Sequence, residues 1–336
     1  MKRATNGTLA VGIAVVLIGI FSPLFLLADG WSPNTRAPNT DSIANTRHNL
    51  TMSYLPAISG GGAVMDDARN NYGEICVYCH TPHGTNDSKS ALPLWNRTIN
   101  QGQYTIYDKP RTLMRPIGQP SPNSLTCLSC HDGTISIDSI INMPGSGRYN
   151  EAQKTSMNPA FLNTWPGAAA VHATMGQAPG TGKPTDQQCM FCHTSEANGG
   201  TVSTFPFDIF VIGTDLRDDH PIGIEFPTVF DPGVDFNEPT LTFESAGGSQ
   251  MKVFDKNGNG YPDKDEPRLY DTGDGFEVEC ASCHDPHGVP SGGTGTMFNP
   301  SFLRVNNGVV VTPNTPNNAQ IVSNSGSALC LTCHAK

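Results

Sequence analysis

Every cysteine of this chain belongs to a Cys-x-x-Cys-His motif, and the motif occurs five times. Two thiols at this spacing, followed at once by an imidazole, indicate covalent haem attachment, with the thiols on the vinyl groups and the histidine on the iron. One copy could be a zinc half-site or a redox dithiol, and ten cysteines could form disulfides, but neither explains a histidine in every copy. The predicted attachment residues are Cys76, Cys79, Cys127, Cys130, Cys189, Cys192, Cys280, Cys283, Cys330 and Cys333, and the predicted proximal iron ligands are His80, His131, His193, His284 and His334. The sequence therefore predicts five haem c groups.

Five histidines remain outside the motifs, and five irons need a sixth ligand. The predicted distal ligands are His48, His83, His172, His220 and His287. A lone histidine is more often an ordinary surface residue, and methionine competes as an axial ligand, but no methionine stands at a repeated offset from a motif. The matching counts favour bis-histidine, low-spin irons of low reduction potential, which pass electrons and do not bind oxygen.

Two of the spare histidines follow a motif histidine by three residues. His83 follows His80, and His287 follows His284. A histidine so close in sequence lies on the same side of its own haem, so it can hardly reach the opposite face. We expect each to ligate a neighbouring haem and to hold two porphyrins close together.

Internal repeats divide the chain into modules. CVYCHTPHG from Cys76 is followed by a second motif at Cys127, and CASCHDPHG from Cys280 is followed by another at Cys330. The predicted segments are a signal peptide at 1–30, an N-terminal arm at 31–75, a two-haem module at 76–147, a single-haem insertion at 148–212, a small strand-rich segment with a calcium loop at 213–279, and a second two-haem module at 280–336.

The composition predicts little regular structure. The chain contains 35 glycines and 27 prolines, only 37% of its residues are hydrophobic, and helical periodicity is scarce. We expect a mostly irregular, haem-wrapped multihaem cytochrome with short helices around the motifs, a few short strands and no large sheet. The predicted strands are 205–212, 250–254 and 275–279, each in a small hairpin or at an edge.

The N-terminus predicts export. Lys2 and Arg3 precede an apolar stretch from Leu9 to Ala28, which ends in small residues that suit cleavage near Gly30. An uncleaved membrane anchor is the alternative. The formal net charge of −10 argues against binding to nucleic acid or to anionic lipid.

A twelve-residue segment matches the calcium-binding loop of EF-hands. It has oxygen-bearing side chains at positions 1, 3, 5 and 9, glycine at position 6 and glutamate at position 12. The predicted Ca²⁺ ligands are Asp255, Asn257, Asn259, Tyr261, Asp263 and Glu266. A metal-free turn is the alternative, since Asn, Asp and Gly also favour turns. A bound calcium would fix the segment that leads into the fourth haem motif.

The order of short motifs carries a family resemblance. Along the chain come RHNL at 47–50, CVYCHTPHG at 76–84, LPLWNR at 92–97, CLSCHDGT at 127–134, GTDL at 213–216, DHP at 219–221, CASCHDPHG at 280–288 and CLTCH at 330–334. This succession resembles the doubled-CxxCH multihaem cytochromes, above all the extracellular tetrahaem cytochromes that polymerise into conductive filaments in metal-reducing bacteria. The chain departs from them by a fifth haem motif, in an insertion near residues 148–212.

The resemblance implies a linear haem stack that continues from one subunit into the next, with His48 as the residue that ligates a haem of the neighbouring copy. We expect an electron-transfer protein rather than an enzyme. It would take electrons from periplasmic or outer-membrane cytochromes and deliver them to an extracellular acceptor such as a metal oxide. The expected location is secreted, in a filament at the cell surface. A monomeric periplasmic shuttle and a reductase with one open haem are the alternatives.

Overall fold

The computed structural model describes residues 42–51, 69, 72–86, 92–100, 102–109, 115–142, 174–175, 211–229, 235–245, 248–289, 302–305, 309–311, 319–321 and 328–335. The predicted signal peptide, the third motif with Cys189, Cys192 and His193, and His172 lie outside these residues. Four of the five motifs and four of the five spare histidines are described.

Each described motif contains a helical turn. A 3₁₀ turn spans Cys76–Tyr78, and the α-helices are α1 at Pro122–His131, α2 at Cys280–Cys283 and α3 at Cys330–Cys333. Pro122 opens α1, where its missing N–H and fixed φ suit the first turn. Within the described residues, no helix has the length and apolar composition to cross a bilayer. A second 3₁₀ turn, Ile43–Asn45, precedes His48.

A five-stranded antiparallel sheet lies between the two pairs of motifs. Its strands are β1 at Ile224–Glu225, β2 at Leu241–Glu244, β3 at Gln250–Val253, β4 at Arg268–Asp271 and β5 at Phe276–Val278, in the order β1-β5-β4-β3-β2. Two further strands, β6 at Val309–Val311 and β7 at Ala319–Ile321, pair with each other. The last residue of β5 is followed by Glu279 and then by Cys280, so the sheet leads directly into α2.

The five-stranded sheet overturns the predicted fold class. The described residues do not form a mostly irregular, haem-wrapped chain without a large sheet: they form this sheet together with three short α-helices. Its strands have two to four residues, below the usual five or six, so alternation of polar and apolar residues has no length over which to show. The outer pairing joins Ile224 to Val278, a contact that depends on tertiary packing.

Two of the three predicted strands are present, but their predicted setting is wrong. β3 and β5 occur within 250–254 and 275–279, and both are interior strands of the sheet rather than parts of an isolated hairpin or edge. The prediction at 205–212 lies outside the described residues except for 211 and 212, which are not in a strand.

Apolar side chains form separate cores. The first contains Trp95, Ile99, Tyr104, Leu125, Leu128 and Leu216, and the second contains Tyr72, Val77, Tyr78 and Ile140. Cys79 packs against both of them. A third core, of Phe226, Phe254 and Leu269, lies on the sheet and reaches Cys333. Each core thus contacts a motif, which fixes the cysteines in space.

Candidate functional site

The described motifs share one local geometry. The backbone N–H of the motif histidine donates to the carbonyl of the first cysteine, at 2.7 Å for His80, 3.1 Å for His284 and 2.8 Å for His334. In α1 the motif forms the last turn of the helix and ends at His131. One helical turn brings residues three and four apart to the same side, so both thiols and the imidazole face one direction. All eight described cysteines are free thiols.

His80 and His287 form a pair across the two modules. Their ring centroids lie 6.1 Å apart and their planes differ by 16°. Nδ1 of His80 lies 2.7 Å from the carbonyl oxygen of Pro93, and Nδ1 of His287 lies 3.2 Å from Oδ1 of Asp285. Both partners only accept hydrogen bonds, so Nδ1 is the donor in each ring and Nε2 is the nitrogen left to ligate a metal.

His48 and His131 form a second pair. Their ring centroids lie 6.0 Å apart with planes at 67°. Nδ1 of His48 lies 3.2 Å from the carbonyl oxygen of Pro286, and the ring stacks on Phe302 at 4.4 Å and 11°. Burial and the neighbouring His131 lower the pKa of His48 to about 4, so its imidazole is neutral near pH 7 and can act as a ligand.

The separations in these two pairs fit one iron each. Metal–nitrogen bonds of about 2 Å on opposite sides of an iron place two imidazole centroids roughly 6 Å apart. Each pair joins a motif histidine to a spare one, which is the combination that bis-histidine ligation requires. Among the described residues no three or more His, Cys, Asp or Glu side chains gather as a metal site.

The two remaining described spare histidines, His220 and His83, have different neighbours. His220 lies near His334, whose pKa is lowered by burial and by the charge of His220. Nδ1 of His220 lies 3.0 Å from the carbonyl oxygen of Pro221. His83 is exposed, and no histidine or aromatic ring pairs with it in the described part of the chain. Its loop is nevertheless fixed, because Asn142 Nδ2 donates to the carbonyl of His83 at 2.7 Å.

Thiols of different motifs are neighbours, close enough to perturb each other's ionisation. The pairs are Cys79 with Cys130, Cys127 with Cys280, and Cys283 with Cys333. Burial and the Cys130 thiol raise the pKa of Cys79 to about 12. A hydrogen bond with Cys280 lowers the pKa of Cys127. The first, second, fourth and fifth motifs therefore follow one another in space.

Buried polar groups near the first pair of motifs fit the carboxylates of a haem. Trp95 Nε1, Thr98 Oγ1 and Ser139 Oγ are buried and make no hydrogen bond. The Trp95 ring lies edge-on to His80, with centroids 5.5 Å apart. Buried donors of this kind are normally satisfied, and haem propionates are acceptors that would satisfy them.

The segment from Asp255 to Glu266 connects β3 and β4. Asp255 accepts from the backbone N–H groups of Gly258 at 2.6 Å and Gly260 at 3.0 Å, and Gly260 has a φ of +78°, which glycine adopts readily. Glu266 is buried, and its carboxylate accepts from the N–H of Lys256 at 2.8 Å. The predicted calcium loop is thus a turn of a β-hairpin, with its oxygen side chains folded inward.

The sequence did not identify the side chains that orient the histidines. Asp285 and Phe302 contact distal histidines, and Arg304 holds Asp285. Asp285 could have been found by comparing the repeats, because CHTPHG has threonine where CHDPHG has aspartate. Phe302 has a φ of +57°, a costly conformation for a bulky residue that no sequence pattern predicts.

The chain matches no family model, and no curated protein matches it significantly.

Proposed function

We propose that this protein is a multihaem c-type cytochrome that transfers electrons through five covalently bound haems. The observation that carries the proposal is the pairing of His80 with His287 and of His48 with His131, each at a centroid distance of about 6 Å. Haem supplies a one-electron iron couple when bound. Cysteines hold the group covalently, histidines occupy both axial positions, and no side chain is assigned a catalytic role.

The neighbouring thiols support transfer between sites. A haem is attached at its vinyl edge, so contact between Cys127 and Cys280 implies that two haem edges lie close together. The Cys79 and Cys130 thiols, and the Cys283 and Cys333 thiols, lie near enough for the charge of one to raise the pKa of the other. Closeness of this kind is what electron hopping requires.

We further propose that the protein polymerises, with a histidine of one copy on an iron of the next. His48 lies beside His131 of its own chain, which favours ligation within the chain. His83 has an exposed side chain on a fixed loop and no ring opposite it among the described residues, which supports assigning the intersubunit ligand to His83 instead. The polymer would take electrons from periplasmic or outer-membrane cytochromes and deliver them to an extracellular acceptor such as a metal oxide.

The test is to express the full chain in a host that attaches haem c and to analyse the secreted fraction. Five haems per chain, low-spin spectra and filaments in cryo-electron microscopy are the expected results. Isolated particles with six-coordinate irons would support a periplasmic shuttle, and an open iron in isolated particles would support a reductase. Absence of covalent haem would refute the proposal altogether.

We propose Ca²⁺ as a structural ligand of the loop at 255–266. Binding to the folded state alone would raise the melting temperature as calcium is added. Asp255→Ala should abolish this rise, while Asp274→Ala, at an exposed position outside the loop, should preserve it. Equal calcium responses in the two variants would exclude the site.

A further inference from the structure

The axial candidate His287 has a charged partner within the protein. Oδ1 of Asp285 accepts from Nδ1 of His287 at 3.2 Å and from its backbone N–H at 3.0 Å. The other carboxylate oxygen lies 3.3 Å from Nη1 of Arg304. Asp285 is 7% exposed and Arg304 is 4% exposed, so their mutual contact is buried, while the side chain of His287 is half exposed.

Two other paired imidazoles, those of His80 and His48, have neutral partners. Nδ1 of His80 lies against the carbonyl of Pro93, and Nδ1 of His48 lies against the carbonyl of Pro286. Hydrogen bonds to ionised acceptors are about twice as strong as those between neutral groups. A carboxylate therefore draws the Nδ1 proton of His287 further than a carbonyl draws that of His80 or His48.

Building on the proposed function, we propose that Asp285 lowers the reduction potential of the iron shared by His80 and His287. A hydrogen bond from Nδ1 to a carboxylate raises the basicity of the ligating nitrogen, and a more basic ligand stabilises the ferric state. No bond is made or broken: the proton stays on Nδ1 of His287 and its position is shifted toward Oδ1. Asp285 is thus a residue that positions and tunes an axial ligand.

The surroundings of Asp285 keep this contact in place. Arg304 also donates to the carbonyls of Ala281 at 2.9 Å and Lys264 at 2.9 Å, so its guanidinium is fixed on three sides. The backbone N–H of Asp285 donates to the carbonyl of Phe302 at 2.9 Å. The two carboxylate oxygens of Asp285 thus have separate donors, Nδ1 of His287 on one and Nη1 of Arg304 on the other.

The chain offers an internal control. Asp132 follows His131 as Asp285 follows His284, and it is also buried. Its carboxylate bonds to Thr134 and to the hydroxyl of Tyr104, at 2.8 and 2.9 Å, and to no described imidazole. Loss of the charge of Asp132 should therefore leave the His80–His287 iron unchanged.

The experiment is a spectroelectrochemical titration of the haem-loaded full chain and its Asp285→Asn variant. At a fixed potential, we expect Asp285→Asn to lower the oxidised-to-reduced ratio of the haem ligated by His80 and His287 by up to about tenfold, since a hydrogen bond to a charged acceptor is about twice as strong as one to a neutral acceptor. Asp285→Glu should restore most of the ratio, and Asp132→Asn should leave that haem unchanged. An Asp285→Asn titration that superimposes on that of the parent protein, with all haems present, would overturn the inference.

A second variant separates tuning from simple structural support. Arg304→Gln removes the cation that competes for the carboxylate, so the same haem should shift in the opposite direction, toward a higher oxidised-to-reduced ratio. Shifts of the same sign in Asp285→Asn and Arg304→Gln would refute the tuning role. A parent protein without covalent haem would instead refute the proposed function, which keeps the two failures distinct.

Discussion

The two loops that carry His83 and His287 have the same sequence pattern but different hydrogen-bond partners. CHTPHG and CHDPHG differ at one position, where Thr81 stands opposite Asp285. The Thr81 hydroxyl donates to the carbonyl of His83 at 2.9 Å, so it stabilises the loop and does not reach the imidazole. Asp285 instead accepts a hydrogen bond from Nδ1 of the His287 imidazole, at 3.2 Å. Both histidines are exposed, and this one residue decides whether a carboxylate orients the ring.

The larger frames of the loops differ as well. Asn142 fixes the first loop by donating to the carbonyls of His83 and Gly84, both at 2.7 Å. The second loop lies against the segment 302–305, where the N–H of Arg304 donates to the carbonyl of Cys283 at 2.7 Å. Both histidines have exposed side chains, and the loops differ in the segment that holds them, Asn142 for the first and 302–305 for the second.

Substitution of His287 or His83 should have the largest effects, on iron ligation and on polymerisation respectively. In isolated haem-loaded protomers, His287→Ala should add one high-spin haem relative to the parent protein, because His80 loses its partner. His83→Ala should add none in protomers, but it should prevent polymerisation. Visible and EPR spectra with electron microscopy check both. A new high-spin haem in His83→Ala protomers would show that His83 ligates within its own chain.

Each module also contains a buried arginine: Arg304 contacts Asp285, and Arg97 contacts the residues around the second motif. Arg97 is fully buried and donates to the carbonyls of Ser129, Ser136 and Ile137, at 3.0, 2.8 and 2.7 Å. Arg97→Ala leaves these acceptors unpaired and should lower the free energy of unfolding by about 3 to 5 kcal/mol. Urea denaturation measures this loss, and a loss below about 1 kcal/mol would contradict the role of Arg97 as an anchor.

The residue before each motif also differs between the two loops, and this difference predicts that stability depends on pH. Ile75 precedes the first motif, whereas Glu279 precedes the fourth and accepts from Ser121 and Ser124 of the second motif's helix region. Burial raises the pKa of Glu279 from 4.5 to about 7. Between these values the folded state holds a proton that the unfolded state releases, so stability should fall by about 3 kcal/mol as pH rises through this window.

Glu279→Gln should remove this pH dependence, since glutamine does not titrate. Urea denaturation of the haem-loaded protein at pH 4.5, 5.5 and 7 measures it. Glu244→Gln, on the edge strand β2, is the matched control and should retain the slope of the parent protein. Identical slopes in Glu279→Gln and the parent protein would show that the carboxyl group does not titrate in this range.

The smallest expected effect is on stability, from substitution of Thr81 in the first loop. Thr81→Val keeps the shape of the side chain and removes its hydrogen bond to the carbonyl of His83, which should cost about 1 kcal/mol. The potential of every haem should stay the same, because Thr81 has no contact with an imidazole. Chemical denaturation and a redox titration test the two parts separately, and a shifted potential would contradict the contrast with Asp285.

The sequence predicted the local structure of the motifs and missed the contacts between residues that are distant in sequence. Cys-x-x-Cys-His is a local pattern, and its helical turn follows from short-range hydrogen bonds such as that from His284 to Cys280. The sequence also predicted that His287 reaches a site other than its own motif, but not that this site is His80. Contact between residues about two hundred positions apart depends on packing that no spacing rule encodes.

The sheet was missed for a related reason. β1 has two residues and pairs with β5, so neither its length nor its neighbours mark it as a strand. The strands are also short and separated by loops, so no strand is long enough to show an alternating pattern of polar and apolar residues. The turn at 255–266 could be predicted because its signal is chemical, a series of oxygen side chains with Gly260 at the turn, and calcium binding there stays a prediction. Its position between two strands could not.

The contact between Cys127 and Cys280 has a consequence for biogenesis. These thiols belong to different motifs, and the hydrogen bond that lowers the pKa of Cys127 makes it the better nucleophile. In an oxidising compartment, such a pair would close into a disulfide and block two attachment sites at once. Haem attachment to these cysteines before the chain folds would prevent that disulfide.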